Sequence, residues 1–396
     1  MIAALAIGLV AGSPAGESLQ PPGGHPHSHT HAAEPSSEKQ APLLFEATYT
    51  AETMANVSGG LRRGARYLDN LDLVLEADLD AAIGWKGAQL HLYTLYNNGR
   101  SISALAGDAQ AVSNIETGTQ ALRLYEAWID QKIGSSLSLR AGLYDLNSEF
   151  DALAASDLFM GSAHGIGTDI SQTGQNGPSI FPSTSLALRV EVKPAEGWVF
   201  RTALLDGVPG NPNRPGRTTI RLGDGDGALA IGEVEAPAWG GRLLFGHWRY
   251  TARFDRHDGR RGGGNAGWYL RGEAPLVKRE GRELAGFFRI GTARGRYNMF
   301  DRFASTGIRL KGFIRGREDD EIGLAVATAA TSRGYRLAYG GGKSESVAEL
   351  TYRSQIAPWL ALQPNLQYIR NPSADPTIKD ALVVGLRGEV SFRWTK

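Results

Sequence analysis

Residues 137–144 read LSLRAGLY, and every second side chain belongs to one of two classes. Leu137, Leu139, Ala141 and Leu143 fall on one side, and Ser138, Arg140, Gly142 and Tyr144 on the other. A period of two marks a β-strand with an apolar face and a polar face. The pattern recurs near the end of the chain, where Leu382, Val384, Leu386, Val390, Phe392 and Trp394 oppose Arg387, Glu389, Ser391 and Arg393. It recurs near the start, where Leu71, Leu73, Leu75, Ala77 and Leu79 oppose Asp72, Glu76, Asp78 and Asp80. Long helical periodicity is absent. Two architectures accept such strands: a soluble sandwich with the apolar faces inside, or a membrane barrel with them outside.

The alternation predicts sixteen strands, at 43–50, 71–80, 89–97, 122–131, 137–144, 186–193, 198–206, 229–235, 245–254, 268–276, 286–291, 308–313, 322–328, 348–355, 360–369 and 382–394. Their connections alternate in length. Tight ones lie at 84–87, 134–135, 194–197, 238–240 and 357–358. Longer ones lie at 52–70, 98–120, 145–183, 207–228 and 331–344. Short turns on one rim and long loops on the other describe an up-and-down meander. The polar face decides between the two architectures. It carries Arg140, Arg189, Glu191, Arg249, Arg253, Arg271, Glu273, Arg289, Arg309, Lys311, Glu349 and Arg353. So dense a set of charges suits a hydrated lumen, with the apolar face toward lipid. The expected fold is all-β, a sixteen-stranded antiparallel transmembrane β-barrel over residues 43–396. The competing class is an exported soluble all-β carbohydrate-binding protein or glycosidase.

Ahead of the strands, residues 2–10 are apolar, and Ser13-Pro14-Ala15 suits signal-peptidase cleavage, so 1–15 reads as a signal peptide. Residues 16–42 are rich in Pro, His, Ser and Glu and read as a disordered leader. Its HPHSHTH run places His25, His27, His29 and His31 at alternate positions, which is either a weak metal-binding tract or a solvated tail. A net charge of +1 offers no nucleic-acid footprint, and zero cysteines remove disulfides and thiolate metal sites.

Several segments then resemble a known family. They are GWKGAQLHLYTLYNNG (84–99), LYEAWIDQKIGSSLSLRAGLYDLNSEF (124–150), Ile180-Phe181-Pro182, ALRVEVKPAEGWVFRTALLDGVPGNP (187–212) and NPSADPTIKDALVVGLRGEVSF (371–392). In this order they resemble the carbohydrate-selective porins of the OprB type. The resemblance implies a sixteen-stranded barrel in a Gram-negative outer membrane that passes sugars passively and is not an enzyme. Its partners would be small sugars and outer-membrane lipid, as monomer or homotrimer, with no cofactor.

A sugar pore needs hydroxyl-matching donors and acceptors that exchange quickly. Alternation offers Glu126, Trp128, Asp130, Arg140, Tyr144, Arg189, Glu191, Arg271, Glu273 and Arg289 as pore-lining groups. Those charges are either functional or merely pair to stiffen the wall. The longest connection follows the fifth strand, where general porins carry their constricting loop. It offers Asp151, Asp157 and His164 as eyelet groups. The many inward arginines also fit a general or anion-preferring pore. Glu126 and Asp130 imitate a glycosidase pair on one strand face. The GDGDG run at 223–227 suits either a calcium turn or a solvated loop.

Overall fold

A computed structural model of the chain describes residues 42–396. The expected signal peptide and the His-rich leader, with its four histidines, lie outside the described residues apart from Pro42. Sixteen strands close into one antiparallel barrel: β1 (Leu43–Gly60), β2 (Gly64–Asp78), β3 (Ala88–Gly99), β4 (Ala121–Ile133), β5 (Leu137–Tyr144), β6 (Ser185–Ala195), β7 (Trp198–Asp206), β8 (Ala228–Ala238), β9 (Gly241–Tyr250), β12 (Ala266–Arg279), β13 (Arg282–Ala293), β14 (Phe300–Lys311), β15 (Glu321–Thr331), β16 (Ser344–Ala357), β17 (Leu360–Arg370) and β18 (Lys379–Thr395). The small hairpin β10 (Arg253–Asp255) and β11 (Arg261–Gly263) stands apart on a loop. Each barrel strand pairs with its neighbour in sequence, and β1 pairs with β18. Closure leaves no strand edge unpaired, which is what hydrocarbon demands of a spanning sheet. Among the described residues no helix is long and apolar enough to cross a membrane.

Side-chain exposure follows the alternation. Leu188, Leu204, Phe245, Leu324 and Leu386 stand exposed on the outer surface, while Arg189, Arg271, Arg289 and Glu349 are buried inside. Trp198, Phe200, Trp239, Trp359 and Trp394 are exposed near the short-turn rim, an aromatic girdle where lipid meets water.

Several strands differ from the sequence reading. The long first loop at 52–70 does not exist: β1 runs on to Gly60, β2 starts at Gly64, and three residues join them. The segment AETMANVSGG is poor in β-formers, yet its ladder to β2 and β18 holds it extended. β14 begins at Phe300, not 308. β9 spans Gly241–Tyr250, so Arg253 leaves the barrel wall for the small hairpin. Buried Leu244, Trp248 and Tyr250 fix the inner face of β9, which turns Arg249 outward.

Candidate functional site

The register of β4 slips by one residue opposite Tyr93 and Thr94 of β3. Such a bulge lets two successive side chains face the same way. Tyr125 and Glu126 both point inside and are buried, whereas strict alternation puts Tyr125 with Ala127 and Ile129 on the face opposite Glu126. Glu126 accepts from Trp128 Nε1 at 3.0 Å and from the Asp145 amide at 3.1 Å. Trp128 is sandwiched. The His91 ring stacks on it at 4.5 Å and 8°, and the Arg140 guanidinium lies 3.6 Å from its ring centroid. Its ring face is therefore already covered.

Arg140 and Arg189 face each other across β5 and β6. Two like charges so placed need anions between them. Asp130 Oδ2 accepts from Arg140 Nε at 3.0 Å and from Arg189 Nη2 at 2.9 Å. Glu149 lies 2.8 Å from Arg189 and 3.6 Å from Arg140, and accepts from the Tyr144 hydroxyl at 2.5 Å. Burial pushes the Glu149 carboxyl up, and the Arg140, Arg189 and Arg201 guanidiniums more than reverse this, holding it well below the usual carboxylate range.

The pairing continues around the wall. Arg201 meets Glu191 at 2.6 Å, Glu233 at 3.3 Å and Glu235 at 3.6 Å. Arg242 meets Glu235 at 3.1 Å and Glu273 at 2.7 Å. This belt from β4 to β12 sets four arginines against six carboxylates, so it carries no positive excess. Arg140, Arg201, Arg242, Glu149, Glu191 and Glu273 all keep some side-chain exposure. Below them, toward the short-turn rim, a cavity of about 360 Å³ is lined by Glu235, Arg242, Glu273, Glu283, Arg309 and the loop residues Ala154 and Ala155. The sequence reading missed Glu149, Arg201, Glu233, Glu235 and Arg242. Arg201, Glu233 and Glu235 were legible from the alternation of their strands.

The connection at 145–184 folds into the barrel and lies against the far wall. Its deepest anchor is Asp151, which accepts from Arg271 Nε at 2.5 Å and Nη2 at 3.0 Å, from Arg289 Nε at 3.1 Å, and from the Gly167 amide at 3.0 Å. Wall carboxylates take loop amides in turn: Glu233 from Asp151 at 3.0 Å, Glu273 from Ala155 at 2.7 Å, Glu349 from Met160 at 2.7 Å and Gly161 at 2.9 Å. Gln363 Nε2 donates to the Leu158 carbonyl at 2.6 Å. The inner face of β15 is small here, with Ala325, Ala327 and Ala329, joined by Ala285 of β13, in the apolar clusters that the loop packs against. Gly323 is required by close approach, since a Cβ there would come within 2.7 Å of the Phe159 ring.

This arrangement corrects the expected roles. Arg271 and Arg289 point inward as alternation requires, but the loop covers them completely; they grip Asp151 and do not face open lumen. Asp151 and His164 are likewise fully buried and hold the loop to the wall. His164 Nδ1 lies 3.2 Å from Ser305 Oγ. Burial first, then the Arg289 charge, pushes its imidazole down to about 3, so it is neutral. Of the three loop groups only Asp157 keeps partial exposure. Glu126, Trp128 and Tyr144 are inside the barrel but buried.

A second connection, at 100–120, also turns inward, which the sequence reading did not anticipate. Glu345 accepts from the Ala109 and Gln110 amides at 2.8 and 3.0 Å, Glu52 from Ser113 Oγ at 2.8 Å and Arg387 Nε at 2.6 Å. The Asn114 amide donates to the Met160 carbonyl at 2.7 Å, which joins the two loops. In the GDGDG run, Asp226 accepts from Arg221 at 3.2 Å and from the Gly223 amide at 3.0 Å, so its carboxylate is engaged locally.

Residues 62–392 match the family model described as "Carbohydrate-selective porin, OprB family". Porin B of Pseudomonas aeruginosa is 24% identical over 401 residues, covering 88% of this chain and 87% of that protein. The high-pH structure of Pseudomonas putida OprB superposes with a TM-score of 0.78 at 23% identity, covering 89% of this chain and 94% of that one. The low-pH structure of the same protein gives a TM-score of 0.58 at 21% identity, covering 88% and 92%.

Proposed function

The chain belongs to the carbohydrate-selective porins of the OprB family and is an outer-membrane sugar porin, and from that premise we propose that it passes neutral monosaccharides and small oligosaccharides by passive diffusion along the paired-charge belt. The supporting observation is the belt's composition, with arginine and carboxylate groups alternating from Asp130 to Glu273 and carboxylates in the majority. A neutral polyol finds donors and acceptors at every step, each already satisfied by a neighbour. It therefore exchanges hydrogen bonds without being held. An inorganic anion finds no unpaired positive field to favour it, which argues against the anion-preferring reading.

The proposed pathway groups are Arg140, Glu149, Glu191, Arg201, Glu235, Arg242 and Glu273. The cavity beneath Ala154 and Ala155 would receive the sugar on its way out. Trp128 acts here as the bed on which Arg140 lies. Liposome swelling with glucose, a disaccharide and an amino acid of similar size tests the proposal. Faster entry of the sugars, with a reversal potential in a salt gradient that shows no anion preference, is the expected result. Equal rates for glucose and the amino acid, or a strongly anion-selective potential, would remove it.

A further inference from the structure

Several arginines near the long-loop rim meet a carboxylate, a carbonyl or a ring. Arg302 has Asp301 at 3.4 Å, Arg256 has Asp258 at 2.5 Å, Arg261 has Asp255 at 3.8 Å, and Arg296 lies over Tyr297 at 5.8 Å. Arg249 and Arg294 have no such partner and border the same glycine, Gly264. Both are exposed, and neither side chain makes an ion pair or hydrogen bond among the described residues. Yet they converge. Arg294 Nη1 lies 3.4 Å, and Arg249 Nη2 4.0 Å, from where a Cβ on Gly264 would sit. Two guanidinium groups thus border one position on the surface, and neither is neutralised by a carboxylate of the described residues. Guanidinium forks side by side suit a phosphate, whose oxygens accept from both.

Their register shows what kind. Arg249 pairs across from Ala266 on β12, and the Arg294 amide donates to the Ala266 carbonyl from the other side. Both arginines flank Ala266 on the outer face of the barrel. One step down the same face, Trp268 is paired with His247 and Thr292. One step further, Leu270 is paired with Phe245 and Ile290, and these last two are exposed to the hydrocarbon side. The column therefore runs cation pair, amphipathic aromatic, aliphatic. A phosphorylated glycolipid has the same order, with anionic phosphate, sugar and acyl chain. We propose that Arg249 and Arg294 bind the phosphate of a glycolipid headgroup in the outer leaflet, with the sugar beside Trp268 and an acyl chain along Phe245, Leu270 and Ile290.

The test uses the full chain purified in detergent and moved into nanodiscs, with native mass spectrometry counting bound lipid. The probes are lipid A carrying both phosphates and the same lipid A stripped of them. Wild-type protein should retain the phosphorylated form, and the double variant Arg249→Gln with Arg294→Gln should bind it about thirtyfold more weakly. The stripped lipid should bind both proteins equally poorly. Sugar flux and resistance to SDS should stay unchanged, because both residues lie outside the lumen. Should the double variant not fold, Arg294→Gln alone supports the same comparison. Equal retention of phosphorylated lipid A by wild type and variant would overturn the proposal. So would inorganic phosphate alone protecting wild type against heat as well as lipid A does, since that marks a free-anion site. The outcome is independent of which solute the lumen selects.

Discussion

Asp151→Asn should loosen the constricting loop without unfolding the barrel. The substitution keeps the shape and removes the charge that holds Arg271 and Arg289, both fully buried. Breaking a buried pair by deleting one partner costs about 3–5 kcal/mol, because the remaining charge stays desolvated. Asp169, 3.3 Å from Arg271, still neutralises part of that charge, so the lower end of the range applies. About 3 kcal/mol corresponds to roughly a hundredfold rise in loop opening. The Gly167 amide, which donates to Asp151, reports it directly. Hydrogen exchange at Gly167 should accelerate by about that factor, while amides of β5 keep their protection. Single-channel recordings should show a larger and noisier conductance. Replacing Asp151, Arg271 and Arg289 together by Leu, Met and Met should restore much of the protection, since no charge is then stranded. If Gly167 exchange in Asp151→Asn stays within about threefold of wild type, the ion triad does not secure the loop, and the energetic argument from burial fails.

Arg140→Ala should leave the barrel assembled but alter conductance and sugar flux, whereas Leu139→Arg should impair assembly by placing a cation in lipid at about 2–4 kcal/mol; heat-modifiable gel mobility and liposome swelling distinguish them, and identical behaviour would put the β5 register in error. His164 sets a pH dependence of loop docking. Its docked pKa is pushed down from 6.5 to about 3, so the undocked loop takes the proton first, and docking support present above 6.5 is lost as pH falls toward 3. Asp169, pushed up to about 6 by burial, acts in the opposite sense, so the measurement is the difference between wild type and His164→Gln in loop exchange from pH 7 to pH 4; equal pH profiles would clear His164 of the role.

Strand pairing and closure were legible because lipid imposes a period of two on every strand, and β5 and β7 match their expected bounds residue for residue. The sequence reading failed where tertiary contact overrides that period. The bulge at Tyr125 leaves no local mark, because Tyr suits either face of a barrel wall. Arg271 and Arg289 were placed on the correct face, but alternation says nothing about what lies over that face. The fate of the loops depended on pairs such as Asp151 with Arg289, separated by 138 residues, which no local pattern encodes. One signal was present and unread. On the inner face of β15, Gly323, Ala325, Ala327 and Ala329 replace the large charged groups of the neighbouring strands. A run of small residues facing a lumen marks a place where something else must fit.

The inward loops also set an order in time. The loop at 145–184 emerges after five strands, but its anchors stand on β8, β12, β13, β16 and β17, as much as 205 positions further along the chain. The other loop waits longer still, for Glu345 and for Arg387, which pairs with Glu52 across the closing seam of β1 and β18. Neither loop can reach its resting place until nearly the whole wall stands. The narrow passage is therefore the last part to be completed, and a barrel stalled one hairpin short lacks the anchors that hold the passage closed.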